Sequence, residues 1–239
     1  MSFHVGPLTQ SWAQKSQIPV WYEPTTTSTN LIAKEKIISE QPISLYVTNH
    51  QTQGRGRGDH SWSDTASEKS TLLMTWVFLM RNPPQPVLSP AIGLSVWSAL
   101  KTTFPWLPLS LKAPNDLYLG PDKLAGLLIE NVQQGDHHRL LVGLGMNIWK
   151  TPAQVAQATS LGLHCETELN EIVWMNILDR MLLELGLAIS QTRSVLSPSQ
   201  VQSLKLALNQ FPGLRDPYQK VDSDGSLWTN QTRINWSEL

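Results

Sequence analysis

An intramolecular disulfide is closed to this chain, because it holds a single cysteine, Cys165. A lone cysteine suits a reducing compartment. Cys165 stands in "LGLHCETELN" with no constellation to activate it, and it reads as a small filler residue, not a nucleophile. Charge is also scarce. Only 15% of residues are charged while 41% are hydrophobic, which excludes a disordered solvating chain and allows a sizeable core. A basic excess is missing as well: 18 lysines and arginines face 19 acidic residues, for a net charge of −1. That argues against a duplex-binding protein. No apolar run approaches the roughly 20 residues that span a bilayer. The opening "MSFHVGPLTQSWAQKSQ" lacks the basic start and apolar run of a secretory signal. The expectation is a soluble, cytoplasmic protein with no membrane association. Six histidines, at 4, 50, 60, 137, 138 and 164, fall at no zinc spacing, and no structural metal is expected.

What is present reads as alternating strands and helices. The 239 residues fit one large domain, or one catalytic domain with a small appendage. "VWYEPTT" predicts a strand. "STNLIAKEKIISE" predicts a helix capped by Ser28 or Thr29, with Leu31, Ile32, Ile37 and Ile38 on its apolar face. "ISLYVTNHQ" and "STLLMTWVFLM" predict strands, the second apolar enough to be covered on both faces. The prolines of "RNPPQPVLSP" predict a linker ending at a helix, "AIGLSVWSALKTTF". "LSLKAPNDLYLG" predicts a strand leading into a loop. "KLAGLLIENVQQ" and "RLLVGLGMNIW" predict a hairpin about "GDHH", with His137 and His138 in its polar turn. "NEIVWMNILDRMLLELGLAIS", capped by Asn170, and "SPSQVQSLKLALNQF" predict helices; "DSDGS" predicts a closing hairpin turn. The class expected is α+β, a mixed β-sheet packed with helices and a short β-rich C-terminal appendage.

The stretch "QTQGRGRGDHSW" interrupts this pattern. Gly54, Gly56 and Gly58 alternate with Arg55 and Arg57. Glycine at every second position weakens a strand and forbids a stable helix. The alternation therefore reads less as a fold device than as a way to bring backbone N–H groups and two guanidinium forks to an anion. No lysine and Ser/Thr follow the glycines, so it is not a P-loop.

Three further polar segments sit where strands end or helices begin: "STN" at 28–30, "KAPND" with Lys123 downstream, and "GLGMN" ending at Asn147. Each has a bland reading. "STN" alone is a helix cap, "GLGMN" a glycine-broken strand, "PND" a turn and Lys123 a solvated lysine. The Gly/Arg loop alone fits an RNA-binding arm as well as a nucleotide lid.

Together and in this order, "STN", "QTQGRGRGDHSW", "KAPNDLYLGPDKLAGLLIE" and "GLGMNIW" resemble the catalytic core of biotin–protein ligases, over roughly residues 20 to 190. The resemblance implies a biotin/lipoate ligase-like core. It also implies an enzyme that joins biotin to ATP as biotinyl-5′-AMP and passes biotin to a lysine of the biotin carboxyl carrier protein of acetyl-CoA carboxylase. It implies catalytic roles for Lys123, Arg57 and Arg55, and a biotin site from Ser28, Thr29, Asn30, Gln51, Gly54, Arg55, Gly56, Arg57 and Lys123. ATP would meet Arg57, Trp62, Lys112, Asn115, Asp116 and Asn147, with Gly143 and Gly145 allowing close approach. ATP and Mg²⁺ are the implied co-reactants, the ion riding on phosphate oxygens with Asp116 nearby, and no tightly bound metal is expected. The chemistry suits these residues, since a carboxylate attacking an α-phosphate needs positive charge and orientation.

The chain departs from the pattern in places. Ala113 stands where the family usually carries Trp, and "GDHS" follows Arg57 where the family is often more basic. The organisation expected is an N-terminal extension at 1–19, a catalytic core at 20–195, and a helix with a reduced C-terminal domain at 196–239. Residues 1–19 are too short for a winged-helix DNA-binding domain, so a short form without nucleic-acid binding is expected, and a homodimer is left open. Two other functions stay open. One is a lipoate or octanoate–protein ligase or transferase; the other is a nucleic-acid-binding module using the Gly/Arg loop.

Overall fold

The computed structural model describes residues 2–65, 70–191, 194–230 and 232–239. In chain order the elements are α1 (Val5–Lys15), β1 (Val20–Thr26), α2 (Thr29–Glu35), β2 (Ile43–Gln51), β3 (Thr71–Met80), α3 (Leu88–Thr103), β4 (Leu109–Lys112), β5 (Asp116–Leu119), β6 (Asp122–Gln134), β7 (His137–Asn147), α4 (Leu161–Cys165), α5 (Glu171–Gln191), α6 (Pro198–Asn209), β8 (Lys220–Val221), β9 (Leu227–Trp228) and β10 (Arg233–Ile234), closed by a 3₁₀ turn (Trp236–Glu238). A seven-stranded sheet runs β1-β2-β3-β7-β6-β5-β4, and a three-stranded sheet runs β10-β9-β8. β1 and β2 are parallel across the α2 crossover, while the pairs β2/β3, β3/β7, β6/β7 and β4/β5 are antiparallel. The sheet is therefore mixed, as expected. Compactness divides the chain into two units, Met1–Pro84 with Leu124–Met175, and Gln85–Lys123 with Asn176–Leu239.

In the first unit β3 is the organising strand. Its residues 71–78 are all buried, because successive side chains point to opposite faces and both faces are covered. On one face Trp76 meets Trp12 of α1 edge-on, with ring centroids 5.7 Å apart. On the other, Val77 joins Ala33 of α2, Tyr46 and Leu141 in one apolar cluster. The odd-numbered face of β3 is thus the α2 face.

Helix α1 occupies the stretch expected as an N-terminal extension. Val5, Gly6, Thr9, Trp12 and Ala13 are its buried positions, a helical spacing. Helix α2 ends at Glu35, short of Ile37 and Ile38. Lys36 is extended (φ −110°, ψ 113°), and its carbonyl accepts a hydrogen bond from the Tyr46 hydroxyl. Ile38 packs on the α2-face cluster from this extended segment, so tertiary contacts override the helical pattern. The expected side-chain cap is absent: neither Ser28 nor Thr29 provides one. Instead Gln51 Oε1 accepts the Thr29 N–H at 2.7 Å, which satisfies a free helix-terminal donor from a neighbouring strand. His137 and His138 lie in β7, paired with Gln134 and Gln133. The turn itself is Gly135–Asp136, where Gly135 takes φ +58°. Asn170 caps α5 as expected, its Oδ1 accepting from Ile172 and Val173 N–H groups.

In the second unit "LSLKAPNDLYLG" folds as two short strands, β4 and β5, not one strand and a loop, because "APN" is tight enough to bring Lys112 opposite Asp116. Helix α3 starts at Leu88, earlier than expected, since Pro90 is tolerated in a first helical turn. Ser197 and Gln200 form a capping box on α6. The "DSDGS" turn joins β8 to β9 with Gly225 at φ +87°. Among the described residues no helix is long and apolar enough to cross a membrane.

Candidate functional site

The Gly/Arg stretch is a tight hairpin hung from the end of β2. Trp62 N–H donates to the Gly54 carbonyl at 2.9 Å, Gly56 N–H donates to that of His60 at 2.8 Å, and Arg55 bridges Ser61. Two of its glycines are required by the fold, which corrects the expectation that the alternation is no fold device. A Cβ on Gly54 would stand 2.3 Å from the Trp62 carbonyl oxygen. Gly58 takes φ +60° at the turn, where L-residues are disfavoured. The hairpin base is fastened by Asp64, whose Oδ2 accepts the Gln51 N–H at 3.0 Å and whose Oδ1 lies 2.8 Å from His50 Nδ1.

Thr75, on the α2 face, ties Thr29 to Asn30, and Gln51 joins them through Thr29. Asn30 Nδ2 donates to the Leu128 carbonyl (3.2 Å) and to Glu130 Oε2 (2.8 Å), so Asn30 Oδ1 must be the acceptor for Thr75 Oγ1 at 2.5 Å. With the Thr75 proton committed there, the Thr29 hydroxyl, 2.8 Å from Thr75 Oγ1, is the donor of that pair. Gln51 Oε1, 3.2 Å from the same hydroxyl, is already served by the Thr29 N–H. Glu130 extends the network to cations. Its Oε1 accepts from Lys34 Nζ at 2.6 Å, and Arg55 Nη1 lies 3.7 Å from the same oxygen. Burial pushes the Glu130 carboxyl up, but hydrogen bonds from Lys34 and Asn30 and the nearby Lys34 and Arg55 charges outweigh it and hold it below the usual range.

Two β7 glycines complete this face. A Cβ on Gly143 would stand 2.3 Å from Asn30 Oδ1, and one on Gly145 would stand 2.4 Å from Trp62 Cε2. The space above them is taken by the chain's own Asn30 and Trp62. Asn147, at the end of β7, is buried; its Nδ2 donates to the Thr159 carbonyl at 3.1 Å, and its Oδ1 is buried with no hydrogen-bond partner among the described residues. Ser28 is buried at the start of α2, and Arg55 and Arg57 are exposed on the hairpin.

The remaining residues lie in the second unit. Lys123 Nζ is 2.7 Å from Asp116 Oδ1. Lys112, across the strand pair from Asp116, holds its ammonium 5.5 Å from the Tyr118 ring and 5.7 Å from the Phe211 ring. Asn115 stands in the turn between them. Among the described residues no three His, Cys, Asp or Glu side chains gather as a metal cage would need. The single carboxylate Asp116, already paired with Lys123, suits at most an ion that arrives on phosphate oxygens.

Thr75, Asp64, Glu130 and Lys34 escaped the sequence reading. Thr75 carried the one usable signal, a hydroxyl in the midst of the apolar run "LLMTWVFLM". Cys165 is buried and burial first, then Glu168, pushes its thiol up to about 12, which makes it an inert residue.

Residues 22–147 match the model of the biotin/lipoate A/B protein ligase family. The chain is 31% identical to a biotin–[acetyl-CoA-carboxylase] ligase of Mycobacterium tuberculosis over 150 residues, 61% of this chain and 54% of that protein. It is 29% identical to the chloroplastic biotin–protein ligase 1 of Arabidopsis thaliana over 136 residues, 54% of this chain and 36% of that one. It thus spans about half or less of the length of these relatives. Among solved structures, a biotin protein ligase from Aquifex aeolicus in complex with biotin and ATP superposes with a TM-score of 0.70, covering 92% of this chain and 97% of that one. At 22% identity that likeness is one of fold.

Proposed function

The chain belongs to the biotin/lipoate A/B protein ligase family, and on that premise we propose that it is an ATP-dependent biotin–protein ligase. In the first step a biotin carboxylate oxygen attacks the α-phosphorus of ATP, the bond from that phosphorus to the bridging oxygen breaks, and pyrophosphate leaves. In the second, a lysine amine of a carrier domain attacks the acyl carbon of biotinyl-5′-AMP, loses a proton, and AMP leaves. The acceptor we assign is a biotin carboxyl carrier protein.

The observation that carries the reading is the hairpin at 54–62, which presents two arginines beside a fixed polar floor of Thr29, Asn30 and Gln51. Arg55 and Arg57 offer forks for carboxylate and phosphate oxygens. Ser28, Thr29 and Gln51, with the backbone at Gly54, Arg55 and Gly56, offer donors and acceptors to a neutral ureido ring. A buried polar group left unpaired costs about 1–3 kcal/mol, so such a floor would select its ring strongly. Lys123 supplies a compact charge to the α-phosphate, with Asp116 as its partner. Lys112, Asn115, Trp62 and Asn147 are assigned to the nucleotide; the unpartnered Asn147 Oδ1 suits an amino-group donor. Magnesium, carried on the phosphates, would neutralise part of their charge.

Incubating the protein with ATP and, in separate arms, biotin, lipoic acid and octanoic acid while following pyrophosphate release tests the proposal. Release with biotin alone is the expected result. Release only with lipoate or octanoate would move the chain to the other branch of its family, and release with none would remove the ligase reading.

A further inference from the structure

Three groups compete for Glu130, and their distances are unequal. Asn30 Nδ2 holds Oε2 at 2.8 Å, Lys34 Nζ holds Oε1 at 2.6 Å, and Arg55 Nη1 stands 3.7 Å from Oε1. The last distance is an ion pair without a hydrogen bond. Arginine's planar fork frequently takes a carboxylate through two parallel N–H bonds, and here it does not. Lys34 is the nearer cation on that oxygen, and its charge weakens the pull of Glu130 on Arg55. With Oε2 given to Asn30 and Oε1 to Lys34, neither oxygen faces Arg55 free of a closer donor.

The rest of the assembly is fixed. Glu130 sits within β6, paired to Leu141 of β7. Asn30 is held by the Leu128 carbonyl and Thr75. Lys34 lies in the last turn of α2, and a single turn separates it from Asn30, so both reach the same carboxylate from one helix face. Arg55, on the hairpin, is the most exposed of these side chains, 41% against 29% for Lys34 and 19% for Glu130. The carboxyl is held below its usual range and is ionised at neutral pH, so it attracts Arg55 without binding it closely.

We propose that Lys34 keeps Arg55 available to an anionic ligand, by occupying the Glu130 oxygen that Arg55 would otherwise take. Glu130 draws the guanidinium toward the floor of the site, and Lys34 stops it from locking there. Lys34 is a positioning residue: it acts through Glu130 on Arg55. The proposal rests on the reading that Arg55 captures a substrate carboxylate or phosphate.

The test measures Arg55 directly and activity separately. Full-length protein without ligand is treated with phenylglyoxal, and modification of Arg55 is followed by peptide mass spectrometry, with Arg57 on the same hairpin as internal reference. Lys34→Met should slow Arg55 labelling relative to Arg57 by about two- to fivefold, the scale of one solvent-screened ion pair. Lys34→Arg should label like the parent, and Glu130→Gln should label faster. Lys34→Met combined with Glu130→Gln should recover the parent rate or exceed it. A packing role for Lys34 would not give opposite signs at the two positions, nor recovery in the pair. In pyrophosphate release with ATP and biotin, Lys34→Met should raise KM for biotin about two- to fivefold while kcat changes little. Unchanged Arg55 labelling in Lys34→Met, or a double variant as slow as the single one, overturns the proposal. If the parent turns over no acid at all, the ligase reading falls, while the labelling still decides what Lys34 does to Arg55.

Discussion

The Trp62 indole lies against the backbone of Gly145, so closely that a Cβ there would stand 2.4 Å from Trp62 Cε2. Gly145 cannot retreat, because it is paired on one side with Leu73 and on the other with Gly126. The ring must move instead, and Trp62 carries the hairpin through its bond to Gly54. Gly145→Ala is therefore expected to cost about 1–3 kcal/mol, the range for overpacking a filled site, and to raise KM for biotin and ATP. Chemical denaturation and steady-state pyrophosphate release check this. An alanine variant indistinguishable in both would mean that the hairpin does not depend on its seat.

Thr75 offers a cleaner measure of the polar floor. Thr75→Val preserves shape but removes the hydroxyl that Asn30 Oδ1 accepts from and that Thr29 donates to. Both groups are buried, so the loss should be about 1–3 kcal/mol of stability. A thermal melt reads it. A valine variant as stable as the parent would show that the hydroxyl chain is not satisfied in the way the proton count requires.

The Lys123 assignment is tested by Lys123→Ala. Losing one electrostatic stabiliser slows a reaction by about 10²–10³. Adenylate formation should fall by that factor while the circular dichroism spectrum is kept, since the Lys123 ammonium pairs with Asp116 at 2.7 Å and fills no apolar core position. Near-normal pyrophosphate release by the variant sinks the assignment.

The small C-terminal sheet should be acid-sensitive, most strongly at Asp222, with Asp224, also paired with Arg233, shifted in the same direction. Asp222 is hydrogen-bonded by Lys220, then by the Trp228 indole and Arg233, and its carboxyl is held down to about 2. A carboxyl with a depressed folded-state value contributes stability that is present above its ordinary value and is lost as pH falls through the folded one. Amide-exchange protection over 219–229 should hold at pH 5 and fade between about 4 and 2. Asp222→Asn should show weak protection throughout. Equal protection in parent and variant at pH 6 would remove Asp222 as the clasp.

Much of this was legible in the chain. β2 and β3 announce themselves because long β-rich apolar runs have no other use, and α5 and α6 carry their caps in Asn170 and Ser197. What escaped was set by distance along the sequence. Asn30 and Glu130 are 100 residues apart, and nothing local marks Glu130 or Lys34 as partners. Helix α2 stopped early because Tyr46, ten residues on, captures the Lys36 carbonyl. Of the site, residue types were readable from motif order, while the donors and acceptors that orient them were not. The fold roles of Gly54 and Gly58 also needed coordinates, because a close approach to the Trp62 carbonyl leaves no trace in composition.

Arg57 carries the last prediction. It stands at the exposed turn of the hairpin, beside Gly58 at φ +60°. Glycine can adopt the backbone at 57, so Arg57→Gly removes a cation while leaving the hairpin's pairing through Gly54, Gly56, His60 and Trp62 in place. If Arg57 helps to hold an acyl-adenylate, one charge-assisted hydrogen bond is lost, about 1.5–3 kcal/mol, or roughly 10- to 150-fold in retention. The intermediate is a mixed anhydride that reacts with any amine it meets, so escape shows as acylation of bystanders. With ATP and biotin supplied, biotin on added serum albumin should rise in the variant over the parent, while pyrophosphate release continues because Lys123 is intact. Continued release without added albumin labelling would mean that the anhydride stays where it forms, and the hairpin's retaining function would then belong to Arg55 or to the backbone.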